Sequence, residues 1–272
     1  MAEQVANTDF TDLDRSADAE HFVRHLDRIS SMAQVQAYKR RTFDLLEVGE
    51  GSWILDVGCG TGDDARALAE RVGTTGRVIG LDSSQAMVQE ARKRAERRQL
   101  PVEYQLGDAR HLEFPNASFD ACRIDRVLHH LDDPQAAVDE LVRVARPGAR
   151  VVMHEPDLEM ILIGPGDRTV TRRLMNYFCD RHPSGWVGRQ LYALARQAGL
   201  TAITIEPDLW IWTDHEEATR LLWLERTAAE AVAAGVISED EAGGWVADLR
   251  QAGAADRFFA AAGFLILCGR KA

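Results

Sequence analysis

Apolar positions along this chain follow two periods that alternate. Phe22, Leu26 and Ile29 recur at i, i+4 and i+7, one face of a helix. A second helix is expected over 31–46. From there short apolar runs expected as strands (53–57, 77–81, 102–106, 119–124, 150–153) alternate with helical patterns (65–72, 84–98, 133–144). Ser83 or Ser84 suits the N-cap of the second of these helices, and Asp133-Pro134 opens the third with a capping acid and a proline at the first helical position. The third stops at Arg146-Pro147-Gly148. Strands alternating with helices predict a parallel sheet covered on both faces, which binds ligands at the carboxyl ends of its strands.

After Met153 the pattern loosens. Val170, Leu174, Tyr177 and Phe178 form a helical stripe beyond the turn Gly164-Pro165-Gly166. A helix over 188–198 and a strand over 202–205 follow, and a last strand is expected over 258–268. Asp214 with Glu217, and Ser238 with Glu241, have capping-box spacing and open two further helices. There is no internal repeat and no low-complexity tract, and residues 1–17 are expected to be a frayed arm. Five of the six tryptophans lie at 186 or later, so the second half is aromatic-rich while the first is rich in glycine and acid. The reading is one structural domain: N-terminal helices (1–47), a core (48–156), and remaining strands with inserted cap helices (157–272).

Composition narrows the function. The 272 residues suffice for a full core without staples. A net charge of −11 argues against generic binding to nucleic acid or an anionic membrane, both polyanions. Cys59, Cys122, Cys179 and Cys268 form no CxxC pair, which offers neither a zinc knuckle nor a disulfide framework. The polar, acidic start lacks a signal pattern, and the longest nearly apolar run, 258–269, is too short to span a bilayer. The expectation is a cytoplasmic, reduced, soluble protein.

The chemistry concentrates at three strand ends. Leu55-Asp56-Val57-Gly58-Cys59-Gly60-Thr61-Gly62 follows a strand and opens a helix. Its glycines let a ligand lie against bare backbone, and the helix start offers free N–H groups to a carboxylate or phosphate. Asp82 ends the second strand, 24 residues beyond Gly58, where an acid can accept both hydroxyls of a ribose; its plainer role is a helix cap. Gly107-Asp108-Ala109 follows the third strand, where a carboxylate can accept from an adenine amino group or simply cap a turn.

These motifs resemble the class I S-adenosylmethionine (SAM)-dependent methyltransferases, closest to the ubiquinone/menaquinone-type and natural-product small-molecule enzymes. The likeness covers about residues 50–155: ILDVGCGTG, VIGLDSS with Met87, YQLGDARHLEFPNASFD, RVLHHLDDP and LVRVARPG. It implies a Rossmann-like, doubly wound seven-stranded sheet with the last strand antiparallel, plus a helical cap. By that resemblance Asp56, Gly58, Gly60, Thr61 and Gly62 build the loop that cradles the methionine end of SAM. Asp82 and Ser83 meet the ribose, Met87 packs on the adenine, and Asp108 and Ala109 meet the adenine edge. Asp125 and Arg126 lie beside the methyl-bearing sulfur. Apart from the resemblance, Tyr38 of the second helix is expected to reach the cofactor's methionine end as part of the cap. The Asp125-Arg126 pair departs from the neutral or small residues the family often carries there. It reads either as a structural ion pair or as a charge set for the cofactor and an acidic acceptor. A nicotinamide dinucleotide site fits less well, because its G-x-G-x-x-G places the third glycine one residue later.

Methyl transfer needs alignment more than a dedicated residue, and a base only if the acceptor must lose a proton. Glu155 and Asp157 follow the strand expected at 150–153, and His129 nears the same edge. Asp157 and His129 are the first candidates for a base, with Glu155 a support; the alternative is that all three brace loops. The basic run Arg92, Lys93, Arg94, Arg97, Arg98 reads as a helix C-terminus facing water rather than an RNA site, and no metal is expected. The aromatic second half implies a small, apolar, planar or polycyclic acceptor, or else it fills its own core. Monomer and homodimer are both open. A cyclase-type enzyme or a binding-only regulator that uses SAM without releasing S-adenosylhomocysteine (SAH) is the second reading.

Overall fold

The computed structural model describes residues 19–96 and 98–272; the expected arm at 1–17 and Arg97 lie outside the described residues. Seven strands form a single sheet in the order β3-β2-β1-β4-β5-β7-β6. They are β1 (Trp53–Val57), β2 (Arg77–Asp82), β3 (Val102–Leu106), β4 (Phe119–Asp125), β5 (Ala145–Ile163), β6 (Leu200–Trp212) and β7 (Ala260–Lys271). β1 to β5 run parallel, and β7 lies antiparallel between β5 and β6.

Adjacent residues of the central strands feed opposite cores, as a period of two requires. Ile54, Val78, Ala121 and Val152 face one cluster, under α2 (Ala33–Leu45), α3 (Asp63–Val72) and α4 (Gln85–Ala95). Leu55, Ile79, Cys122 and Val151 face the other, under α5 (Pro134–Val144) and α7 (Val187–Gln197). The expected caps form. Ser84 Oγ accepts from Met87 N at the start of α4, and Asp133 Oδ1 from Ala136 N at the start of α5. The first helix, α1 (Ala19–Ser31), brings Phe22 against Met87, beside the glycine-bearing loop.

Two strands are much longer than their pattern predicts. β5 runs to Ile163 rather than ending at 153, and β6 to Trp212 rather than 205. β4 stops at Asp125, opposite His154, but β5 goes on for nine more residues against β7, with β6 beyond it. The three strands therefore form a wall beyond the edge where the parallel strands end. Its inner residues Leu158, Ile161, Trp210, Trp212, Ala262 and Phe264 are buried. Pro207 is accommodated because β6 is an edge strand, where a missing N–H costs little.

Facing the wall are α6 (Arg168–Asp180), α8 (His215–Leu221), α9 (Leu224–Ala233) and α10 (Glu239–Ala254). The capping box of Ser238 and Glu241 is complete, whereas at Asp214 the side chain accepts from Glu217 N. Trp245 of α10 fills the cap's interior, its Nε1 donating to Thr171 Oγ1 at 2.8 Å. Among the described residues no helix is long and apolar enough to cross a membrane.

Candidate active site

The turn after β1 is held tightly to β2, with Gly58 N and Cys59 N both donating to Leu81 O. Gly58 has φ +71°, and a Cβ there would lie 2.0 Å from a Val127 methyl. At Gly62, φ is +77° and a Cβ would meet the Tyr104 ring at 2.5 Å. Both positions thus exclude a side chain on two counts. Gly60 N donates to Asp82 Oδ2 at 2.8 Å, and Ser84 N to Asp82 Oδ1 at 2.9 Å. Both oxygens of Asp82 are thereby anchored by backbone donors, which fixes the carboxylate at the cavity's edge.

A cavity of about 840 Å³ opens at this edge. Gly58, Gly60, Asp82, Ser83, Met87, Asp108 and Ala109 line one end, with Leu26 and Ile29 of α1 above them. Asp125, Arg126 and His129 follow, and Asp157, Trp210, Trp212, Trp223 and Phe264 line the far end. Asp108 is engaged by the Arg110 guanidinium, whose bonds hold its carboxyl below the usual range. Asp56, Thr61, Gly62, Tyr38 and Glu155 do not line the cavity; they lie behind its walls.

Tyr38, expected at the cofactor's methionine end, is buried and donates instead to Asp125 Oδ2 at 3.0 Å. It belongs to a polar network centred on a residue the sequence reading passed over. Arg123 of β4 is 2% exposed and contacts Asp56 at 2.8 Å, Asp64 at 2.9 Å and Asp125 at 2.6 Å. Lys39 adds a second cation on Asp64. On its other side Asp125 meets His154 Nδ1 at 2.8 Å, and His154 Nε2 lies 3.1 Å from Asp208. Burial alone would raise Asp125, but Arg123 and then His154 hold its carboxyl well below the ordinary value. Burial likewise works against a charge on His154, yet Asp125 and Asp208 keep its pKa raised.

Arg126 has a left-handed backbone, φ +57°, fixed by its N–H donating to His154 O. Its guanidinium sits 5.6 Å over the Trp210 ring, and its Nε is 3.5 Å from Asp125 Oδ1.

Glu155 and Asp157 do not follow β5 but lie inside it. Glu155, fully buried, accepts from Val127 N and Leu128 N through Oε1, and its Oε2 is 2.9 Å from His129 Nδ1. Burial pushes Glu155 up to about 7 against the pull of those two N–H groups. Burial, then the neighbouring His182, depresses His129 well below the usual imidazole value. Asp157 has both oxygens taken by Arg189, at 2.5 and 2.6 Å, so the position ranked beside His129 as a proton acceptor is a brace between β5 and α7. In the basic run, Arg92 donates to Tyr104 O, Arg94 pairs with Asp27 and Glu90, and Arg98 pairs with Glu70. Among the described residues no group of three or more His, Cys, Asp or Glu could hold a metal.

Comparison with known proteins bears on the family and the fold. Residues 54–148 match the methyltransferase domain family. A 37.1 kDa uncharacterized protein in transposon TN4556 of Streptomyces fradiae is 40% identical over 241 residues, 88% of this chain and 68% of that protein. The demethylmenaquinone methyltransferase of Lactobacillus johnsonii is 37% identical over 128 residues, 46% of this chain; the match spans about half, 52%, of that enzyme. The YcgJ protein of Bacillus subtilis superposes with a TM-score of 0.63 at 19% identity, over 87% of this chain and 98% of its own. The chain belongs to the class I SAM-dependent methyltransferase family, whose methyl donor is SAM.

Proposed function

We propose that the chain transfers the methyl group of SAM to a small, largely apolar and planar acceptor, releasing SAH. The observation that carries this reading is one cavity joining the glycine loop to an aromatic wall. Strand order supports the division of labour. The residues proposed to hold SAM follow β1, β2 and β3, Asp125 ends β4, and the aromatic wall belongs to β5, β7 and β6. SAM enters with its ribose on Asp82, its adenine against Met87, Asp108 and Ala109, and its methionine end over Gly58 and Gly60. The methyl then faces the wall near Asp125. Asp56, Thr61, Gly62 and Tyr38 act from behind, by shaping the loop and holding Asp125. Residues 1–47 supply a cover, 48–156 the cofactor core, and 157–272 the acceptor chamber.

The displacement is in line, with the acceptor's electron pair attacking the methyl carbon as the carbon–sulfur bond breaks. Holding the reactants in line supplies about 7–11 kcal/mol of barrier reduction. Where the acceptor is a hydroxyl or an acidic carbon, His129 Nε2 takes its proton. No protein group bonds Nε2 among the described residues, and Glu155 fixes the ring through Nδ1. Incubating the protein with methyl-labelled SAM and a panel of planar phenols tests the reading. Labelled product with equimolar SAH supports it. Intact SAM with a rearranged, unmethylated product would indicate cyclase chemistry, and intact SAM with no product a binding-only role.

A further inference from the structure

Three arginines line the cavity, and two of them are spoken for: Arg110 pairs with Asp108, and Arg181 with Glu230. Arg126 differs. None of its side-chain nitrogens donates a hydrogen bond among the described residues, and its Nε is buried without a partner. Its nearest anion cannot serve it well. Asp125 already accepts from Arg123 and Tyr38 and engages His154, which leaves Arg126 a 3.5 Å contact at poor hydrogen-bonding distance. A guanidinium carries five N–H donors in a planar fork that matches a carboxylate edge to edge. Leaving that fork unmatched inside a cavity is costly unless a ligand completes it.

The direction of the side chain says which ligand. Arg126 follows β4, and its guanidinium lies over Trp210 of β6, two strands past β5. It thus leans away from β1, β2 and β3, where the ribose- and adenine-facing residues sit, and into the aromatic chamber. This cation–π contact holds the fork at the chamber's aromatic wall, where it lines the cavity. We infer that Arg126 is a specificity residue that binds a planar oxyanion of the acceptor, so that the substrates are aromatic or conjugated acids carrying a carboxylate. This rests on the proposed methyl transfer for its setting, but not for its test.

Titration calorimetry with 2-naphthoate and its neutral counterpart 2-naphthamide, on the cofactor-free and SAH-saturated protein, examines the assignment. The expected result is that Arg126→Gln weakens naphthoate at least tenfold, Arg126→Lys weakens it less, and naphthamide binds all three proteins alike. SAH affinity should stay within twofold throughout. Because the Arg126 side chain donates no hydrogen bond among the described residues, Arg126→Gln should still unfold cooperatively with a melting temperature within a few degrees of the parent's, which separates a binding loss from misfolding. A tenfold loss of SAH affinity with naphthoate unchanged would overturn the inference, since the fork would then serve the cofactor's own carboxylate. Naphthoate binding no tighter than naphthamide, or equal in parent and Arg126→Gln, would overturn it as well. If SAH fails to bind the parent, the methyl-transfer reading falls, and the cofactor-free comparison still decides the role of Arg126.

Discussion

Glu155 Oε2 and His129 Nδ1 lie 2.9 Å apart, and the other oxygen of Glu155 is held by two backbone N–H groups. When Glu155 is ionised, the proton of a neutral His129 must sit on Nδ1, which leaves Nε2 able to accept. When Glu155 is protonated on Oε2, Nδ1 accepts instead and Nε2 carries the proton. Glu155 is pushed up to about 7, while His129 stays neutral well below that. Single-turnover methyl transfer to a phenol should therefore rise with pH through about 7. His129→Ala should lower the chemical step about 10²-fold or more with SAM affinity preserved. Glu155→Gln, which mimics the protonated acid, should be slow and flat across that range.

Stability should run the other way over the same interval. Glu155 and His154 both have folded pKa values above their unfolded ones. Each favours the folded state on the acid side and loses that contribution as pH rises through its folded value. Asp125, held low, contributes above the unfolded aspartate value of about 3.9 and loses it as pH falls further. Glu155 loses its contribution between about pH 4.5 and 7, while the depressed His129 adds stability as pH rises toward about 6.5 and offsets it, and above that His154 loses its own. Urea denaturation should therefore show greatest stability between about pH 4 and 6.5, falling toward pH 8. A stability maximum above pH 8 would contradict the assigned directions.

Asp82 lines the cavity with backbone N–H groups anchoring both of its oxygens. Ribose hydroxyls donating to this carboxylate contribute about 1.5–3 kcal/mol each. Asp82→Ala should weaken SAM at least tenfold by calorimetry. Unchanged affinity would remove the ribose from this position.

Arg123 pairs with three aspartates at once, Asp56 and Asp125 buried and Asp64 half-buried. Removing one partner of a buried ion pair costs about 3–5 kcal/mol, because the charges left behind have no water to replace it. Arg123→Met should lower the free energy of unfolding by at least that amount in urea. A loss under about 1 kcal/mol would mean the aspartates share protons and do not need the arginine.

What could be read from the sequence divides along the same physical line. β1 and β3 were legible to the residue, one as a mostly apolar run and the other as an alternation of Val102, Tyr104 and Leu106 with Glu103 and Gln105. The extension of β5 was not, because His154, Glu155, Asp157 and Glu159 read as a polar loop. Those groups enter a strand only because Asp125, His129 and Arg189 neutralise or bond them across the fold. Asp208 in β6 is likewise masked by His154 and Trp210. Arg123 left a trace: a cation between Cys122 and Ile124 in the middle of a central strand, with Asp56 three strands back in the chain order. Only pairing register shows that the two meet.

Asp157 separates bracing from chemistry. It is buried, and Arg189 holds both oxygens while its own N–H also donates to Oδ2. With both oxygens bonded to one guanidinium, the carboxylate's accepting capacity is committed to bracing β5 against α7. Asp157→Asn keeps the shape and loses the charge, which should cost about 1–3 kcal/mol as bonds to the guanidinium weaken. Since about 1 kcal/mol moves the melting temperature of a domain this size by about 2–4 °C, the variant should melt roughly 2–12 °C lower. Its single-turnover rate, measured with SAM saturating, should change less than about fivefold, while His129→Ala loses about 10²-fold. A hundredfold loss in Asp157→Asn at an unchanged melting temperature would transfer the base to Asp157 and make His129 part of the wall.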